Sequence, residues 1–211
     1  MLVSEIYESI QGEGRHAGLP MTFVRFAGCN LDCEYCDSRH AREGGTAMTP
    51  DEIIAKCLAA TWRRVQLTGG EPMLQDDLPE LCRLLIETGF EVVLETNGTL
   101  DLSPIPPAVI KVVDIKTPGS GHTGDEYLAN IPLLSENDEL KFVVTSRDDF
   151  DWAGGLVRKL DLPKTCGVLF SAAVPLVAPP DLARWILDTG LDVRFNPQVH
   201  RHIWGDDVRG K

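Results

Sequence analysis

Short apolar runs alternate with amphipathic stretches along most of the chain. Residues 22–27, Thr-Phe-Val-Arg-Phe-Ala, are rich in β-branched and aromatic side chains and predict a strand. Residues 28–45 read as a long loop. Thr49-Pro50-Asp51-Glu52 is a capping box with proline at the first helical position, and it opens an amphipathic helix to about Ala60. Residues 64–68 predict a strand ending at Gly69-Gly70. Asp77 is expected to cap the next helix, which Gly89 stops. Val92-Val93-Leu94 predicts a strand, followed by the turn signal Asn97-Gly98. After a proline-rich connection, residues 109–115, 139–144 and 167–170 read as strands. Residues 148–160 and 181–189 read as helices, and Val193 is expected to begin the last strand.

Several of these strands are almost wholly apolar, which suits parallel strands buried on both faces. Residues 85–92 and 186–193 repeat one helix-stop-strand design, the grammar of βα units. A closed eight-stranded barrel takes about 250 residues, and this chain has 211. The expectation is therefore an α/β fold, a partial, open βα barrel of about six to seven mostly parallel strands. No linker interrupts it, so residues 1–211 are expected to form a single domain.

Composition narrows the partners. The chain is 43% hydrophobic and 25% charged, the mix of a soluble globular protein. No run approaches the length of a membrane-spanning helix, and the N-terminus has no basic segment before an apolar core. A cytoplasmic protein is expected. The formal net charge is −12, and the densest basic stretch, residues 201–209, contains two aspartates. Nucleic acid and membrane surfaces are disfavoured as partners, and a small molecule is favoured.

Of six cysteines, Cys57 and Cys82 fall at core positions of helices, and Cys166 precedes an apolar strand. Cys29, Cys33 and Cys36 are different, spaced C-x3-C-x2-C on the long loop. Three thiolates there can converge on one metal centre. They suit either an iron–sulfur cluster with one open iron or, with His40, a Cys3His zinc site. The second signal is Thr68-Gly69-Gly70-Glu71-Pro72 at a strand end, where glycines let a ligand approach the backbone. Arg25, inside an apolar strand, is either an ion-pair partner or a guanidinium clamp for a carboxylate. Glu95 directly follows an apolar run and needs either loop backbone or the N–H groups of a ligand. Asp114 and Lys116 flank Ile115 and point to one side. Ser38 beside Asp37 reads as a turn or cap residue.

The loop and the Gly-Gly-Glu-Pro turn, in this order and context, resemble the radical S-adenosylmethionine superfamily. That resemblance implies a [4Fe-4S] cluster on Cys29, Cys33 and Cys36, with S-adenosylmethionine on its open iron and Gly69 and Gly70 receiving the methionyl amino group. A narrower likeness runs along almost the whole chain: residues 8–14, 25–31, 36–38, 68–75, 95–98, 114–121 and 198–200. It is similar to the 7-carboxy-7-deazaguanine synthase family. This implies a carbon–nitrogen lyase that converts 6-carboxy-5,6,7,8-tetrahydropterin to 7-carboxy-7-deazaguanine and ammonia, on the way to 7-deazapurines such as queuosine.

The same resemblance implies roles for single residues. Ile10, Gln11 and Gly12 lie over the pterin, Arg25 takes its carboxylate, and Thr68 and Glu95 contact the substrate. Arg25 and Glu95 are the expected catalytic pair. Asp114, Lys116 and Ser171 serve the cofactor, and Ser38 a Mg2+ ion. Other members carry Ser-Pro-Lys where this chain has Asp114-Ile115-Lys116, so Lys116 carries over better than Asp114. The stretch Ser171 to Val174 lacks polar residues of some relatives, and the chain past His200 outruns shorter members. A homodimer and an electron donor such as flavodoxin are implied as partners. The rivals are an activase of glycyl-radical enzymes, which lacks the Gln11-Gly12-Glu13-Gly14 segment, and a zinc-stabilised binding protein.

Overall fold

A computed structural model describes residues 1–122 and 124–205. Seven strands pair in parallel, side by side. They are β2 (Pro20–Phe26), β4 (Arg64–Gly69), β5 (Glu91–Thr96), β6 (Ile110–Ile115), β7 (Glu139–Val144), β8 (Gly167–Ala172) and β9 (Arg194–Phe195). The expected partial α/β barrel of mostly parallel strands is thus observed. Two antiparallel strands extend it. β1 (Leu2–Ile10) runs along β2, and β3 (Thr46–Ala47) pairs with the start of β1. The sequence reading did not anticipate either, nor the short α5 (Val199–Trp204) that follows β9.

Four longer helices, α1 (Pro50–Ala59), α2 (Leu78–Glu87), α3 (Arg147–Leu160) and α4 (Pro179–Thr189), bury their apolar stripes against one face of the sheet. In α2 the buried side chains are Leu78, Leu81, Cys82 and Leu85, the 3.6-residue rhythm. Burying each such leucine contributes about 1.5–3 kcal/mol. The box on α1 is complete: Glu52 N–H donates to Thr49 Oγ1 at 3.3 Å, and Thr49 N–H to Glu52 Oε2 at 2.8 Å. Asp77 departs from expectation. It stands before α2 with φ −85° and ψ 6°, not the extended backbone a capping side chain needs, and its carboxylate caps nothing.

Strand residues point alternately to the two faces. Val65 and Leu67, Val92 and Leu94, Val113 and Ile115, and Leu140, Phe142 and Val144 meet the helices. The intervening positions face inward. Met21, Phe23 and Val93 form a small apolar patch there, while toward the C-terminal strand ends the inward residues turn polar. That alternation builds the site. No helix among the described residues is long and apolar enough to cross a membrane.

Candidate active site

A cavity of about 630 Å³ opens at the C-terminal ends of the parallel strands, a volume suited to a small molecule. Cys29, Cys33 and Cys36 all border it. Their loop is fastened at both sides: Gly28 N–H donates to Ala41 C=O at 2.9 Å, and Glu34 N–H to Ser120 C=O at 3.4 Å. The end of β4 closes on this loop, with Gly70 N–H donating to Phe26 C=O at 3.1 Å and Glu71 N–H to Gly28 C=O at 2.8 Å. Gly69 takes φ +141°, and a side chain on it would run into the Phe26 backbone. One on Gly70 would strike the Gly28 carbonyl. The two glycines are required by this close approach.

Glu71 is fully buried and works as a structural acceptor. Thr96 Oγ1 donates to it at 2.7 Å, Asn97 N–H at 2.7 Å and Met73 N–H at 2.9 Å. Burial raises its carboxyl above the usual range, against the pull of those hydrogen bonds. It thereby ties the Gly-Gly-Glu-Pro turn to the Glu-Thr-Asn segment that ends β5.

Arg25 is an ion-pair partner placed at the cavity. Its Nε donates to Glu5 at 2.7 Å, Nη2 to the Tyr7 hydroxyl at 2.9 Å and Nη1 to Ser38 Oγ at 3.3 Å, and it also borders the cavity. Tyr7 is fixed in turn by stacking on Phe23, ring centroids 5.1 Å apart. Glu95 finds side chains rather than loop backbone. Gln66 Nε2 and Thr68 Oγ1 each donate to Oε2 at 3.3 Å, and Lys141 pairs with Oε1. Gln66 also accepts from Gln11 Nε2 at 3.1 Å. Ser38 precedes a short turn without capping it; its hydroxyl donates to Asp37 Oδ1 at 2.9 Å.

Asp114 and Lys116 form an ion pair of 2.8 Å, and the Lys116 ammonium lies 5.7 Å from the Tyr35 ring centroid. Asp114 Oδ1 and the Tyr35 hydroxyl are buried beside the cavity with no hydrogen-bond partner. Natural proteins rarely leave such groups unpaired, and an acceptor with a hydroxyl suits the polar arms of a nucleoside. Ser171 is set apart: its Oγ accepts from Asn196 Nδ2 at 2.8 Å, and Ala172, Ala173 and Val174 border the cavity instead. Among the described residues, no three His, Cys, Asp or Glu side chains are gathered around a single-ion position. His40, the fourth ligand of the alternative zinc set, contacts Glu5 at 3.5 Å. Three thiols bordering one cavity suit an iron–sulfur cluster, whose irons are held by cysteine thiolates.

The sequence model of the Radical SAM superfamily matches residues 23–114. A 7-carboxy-7-deazaguanine synthase of Koribacter versatilis is 39% identical, covering 100% of both chains. One of Chlorobaculum tepidum is 41% identical over 99% of this chain and 96% of its own. The chain belongs to the 7-carboxy-7-deazaguanine synthase family. Among solved structures, QueE from Escherichia coli superposes with a TM-score of 0.72, at 24% identity and 92% coverage of each chain. SuiB of Streptococcus suis, bound to S-adenosylmethionine, gives 0.56 at 16% identity, over 82% of this chain and 48% of its own.

Within this synthase family chain, Ile10, Gln11 and Gly12 also border the cavity. α5 sits against them: Val199 N–H donates to Gly12 C=O at 2.9 Å, and a side chain on Gly12 would meet the His200 ring. Glu13 accepts from Gln198 Nε2 at 2.8 Å. Of the stretch past His200 that outruns shorter members, residues 206–211 lie outside the described residues. Sequence reasoning passed over Glu5, Tyr7, Gln66 and Lys141. One signal was available, a lysine and a glutamine inside otherwise apolar strands.

Proposed function

We propose that the chain is a radical S-adenosylmethionine lyase converting 6-carboxy-5,6,7,8-tetrahydropterin to 7-carboxy-7-deazaguanine with release of ammonia. The observation that carries this reading is a single cavity bordered by the three-cysteine loop, the Gly-Gly turn and a wall on which Arg25 pairs with Glu5. Full-length identity to named synthases supports it over an activase or a zinc protein.

When bound, the cluster and S-adenosylmethionine supply the one-electron hydrogen abstraction that side chains cannot perform. Cys29, Cys33 and Cys36 hold the cluster. Gly69 and Gly70 receive the methionyl end of the cofactor, with Asp114 and Lys116 on its other polar groups. Arg25 binds the substrate carboxylate, held in orientation by Glu5 and Tyr7. Ile10, Gln11 and Gly12 cover the pterin, and Thr68 and Glu95 face its N–H groups. Ser38 offers a hydroxyl to Mg2+ next to the substrate carboxylate. Holding these parts in line lowers the orientational cost of the reaction. The chain acts as a single unit in the cytoplasm, as a homodimer served by a flavodoxin-like donor.

Anaerobic reconstitution with iron, sulfide, S-adenosylmethionine, a reductant and the carboxypterin tests the reading by mass spectrometry. The expected product is 7-carboxy-7-deazaguanine with stoichiometric ammonia. A colourless, zinc-loaded protein that leaves the carboxypterin unchanged would refute it.

A further inference from the structure

Lys141, at the middle of β7, belongs to none of the motifs above and takes no part in the steps just described, yet three carboxylates share its ammonium. Nζ lies 3.0 Å from Glu13 Oε2 and 3.5 Å from Asp114 Oδ2, and it pairs with Glu95 Oε1. These partners come from three separate places: the segment after β1, the end of β6 and the end of β5. The lysine side chain is 7% exposed and borders the cavity. Burial alone would push its ammonium down, but Glu13, Glu95 and Asp114 outweigh burial and hold it well above the ordinary lysine value. Tyr7 stands beyond Glu95, with Arg25 donating to it, and Lys116 beyond Asp114.

The fold does not need this ion. β7 already meets the helices through Leu140, Phe142 and Val144. A buried set of ions costs more than apolar packing of the same volume, so its presence on a ligand-facing wall points to recognition. A carboxylate oxygen accepts from an N–H group and has nothing to offer a carbonyl oxygen.

We propose that Lys141 is a positioning and specificity-determining residue: its ammonium holds the Glu13 and Glu95 carboxylates in place on the cavity wall, so that the cavity takes a heterocycle edge made of N–H donors and rejects the oxo analogue. The inference rests on the carboxypterin reading. A pterin offers its 2-amino group and ring N–H along one edge. A lumazine places a carbonyl oxygen where the amino group was, facing the carboxylates.

The test titrates the holoprotein, loaded anaerobically with cluster and S-adenosylmethionine, with pterin-6-carboxylate and lumazine-6-carboxylate. Neither carries the reduced ring that reacts, so ligand fluorescence reports affinity without turnover. The wild type should prefer the pterin by about 100-fold or more. In Lys141→Met the preference should fall to about tenfold or less, and Lys141→Arg should recover it. Cluster absorbance and bound S-adenosylmethionine should not change. An undiminished preference in Lys141→Met overturns the assignment and leaves the substrate reading standing. A wild type that binds neither compound and leaves the reduced carboxypterin untouched overturns both. Should Lys141→Met fail to fold, the wild type still decides. A wild type that binds the pterin and the lumazine equally overturns the role.

Discussion

The Nε–H of Arg25 donates to Glu5 Oε1 across 2.7 Å. A guanidinium carries five N–H groups, and three are taken by Glu5, Tyr7 and Ser38. Two remain for a ligand in the cavity that Arg25 borders. Lysine cannot keep the fork and those anchors together. Arg25→Lys should raise the KM for the carboxypterin about 10- to 100-fold while leaving the cluster spectrum intact. Steady-state kinetics at limiting substrate checks this, and unchanged turnover would leave Arg25 a purely structural ion pair.

The cysteines divide cleanly. Burial pushes the Cys57 thiol up to about 11 and the Cys82 thiol up to about 12, so both stay protonated apolar filling. Changing either to Ala should cost roughly 1 kcal/mol in denaturant unfolding and keep the cluster. Cys29→Ala, Cys33→Ala or Cys36→Ala should each abolish the cluster absorbance and cleavage of S-adenosylmethionine. Survival of the cluster in Cys33→Ala would refute the ligand set.

Glu71 is the buried acceptor that joins two turns. Glu71→Gln keeps its size but sets an amide N–H against the Asn97 N–H. The loss should be about 1–3 kcal/mol of unfolding free energy. The pH dependence has a definite sign. A carboxyl raised in the folded state binds its proton more tightly there than in the unfolded chain. Its contribution to stability is fully present below the ordinary glutamate value and declines as pH rises through the raised one. Glu71→Gln should remove that slope, so the stability gap to wild type narrows toward neutral pH. Denaturant unfolding at several pH values measures it; a gap that widens toward neutrality contradicts the assignment.

Ser38 Oγ accepts from Arg25 and donates to Asp37. One hydroxyl with a substrate carboxylate makes a weak Mg2+ site, filled when substrate is present, so each should favour the other's binding. Ser38→Ala should keep cluster and S-adenosylmethionine binding and blunt the stimulation of turnover by Mg2+. A Mg2+ titration with an undiminished response would return Ser38 to its loop.

Much of this was legible in the sequence because the signals are local. The C-x3-C-x2-C loop, the Gly-Gly turn, the Thr49 box and the apolar strand cores each sit within a few residues. β1 escaped because its inward Glu5 serves Arg25 and its register shifts between Val3 and Glu5, which breaks the alternation that marks a strand. Asp77 misled because a capping residue type does not guarantee the extended backbone that capping requires. Lys141 stands out in the sequence as a lysine in an apolar strand, but its partners do not. Asp114 is its register neighbour across β6 and β7, while Glu13 and Glu95 arrive from far along the chain. Only the assembled barrel makes them partners.

The bond from Val199 N–H to Gly12 C=O has a consequence for the order in which the protein becomes functional. Residue 12 leaves the ribosome long before residue 199, and early strands can pair while later ones are still being made. The cavity wall at Gly12 is nevertheless finished by α5, from the far end of the described chain. A nascent chain therefore carries its three-cysteine loop well before the cavity beside it has its full lining. The chamber can close into its folded form only after synthesis has passed α5.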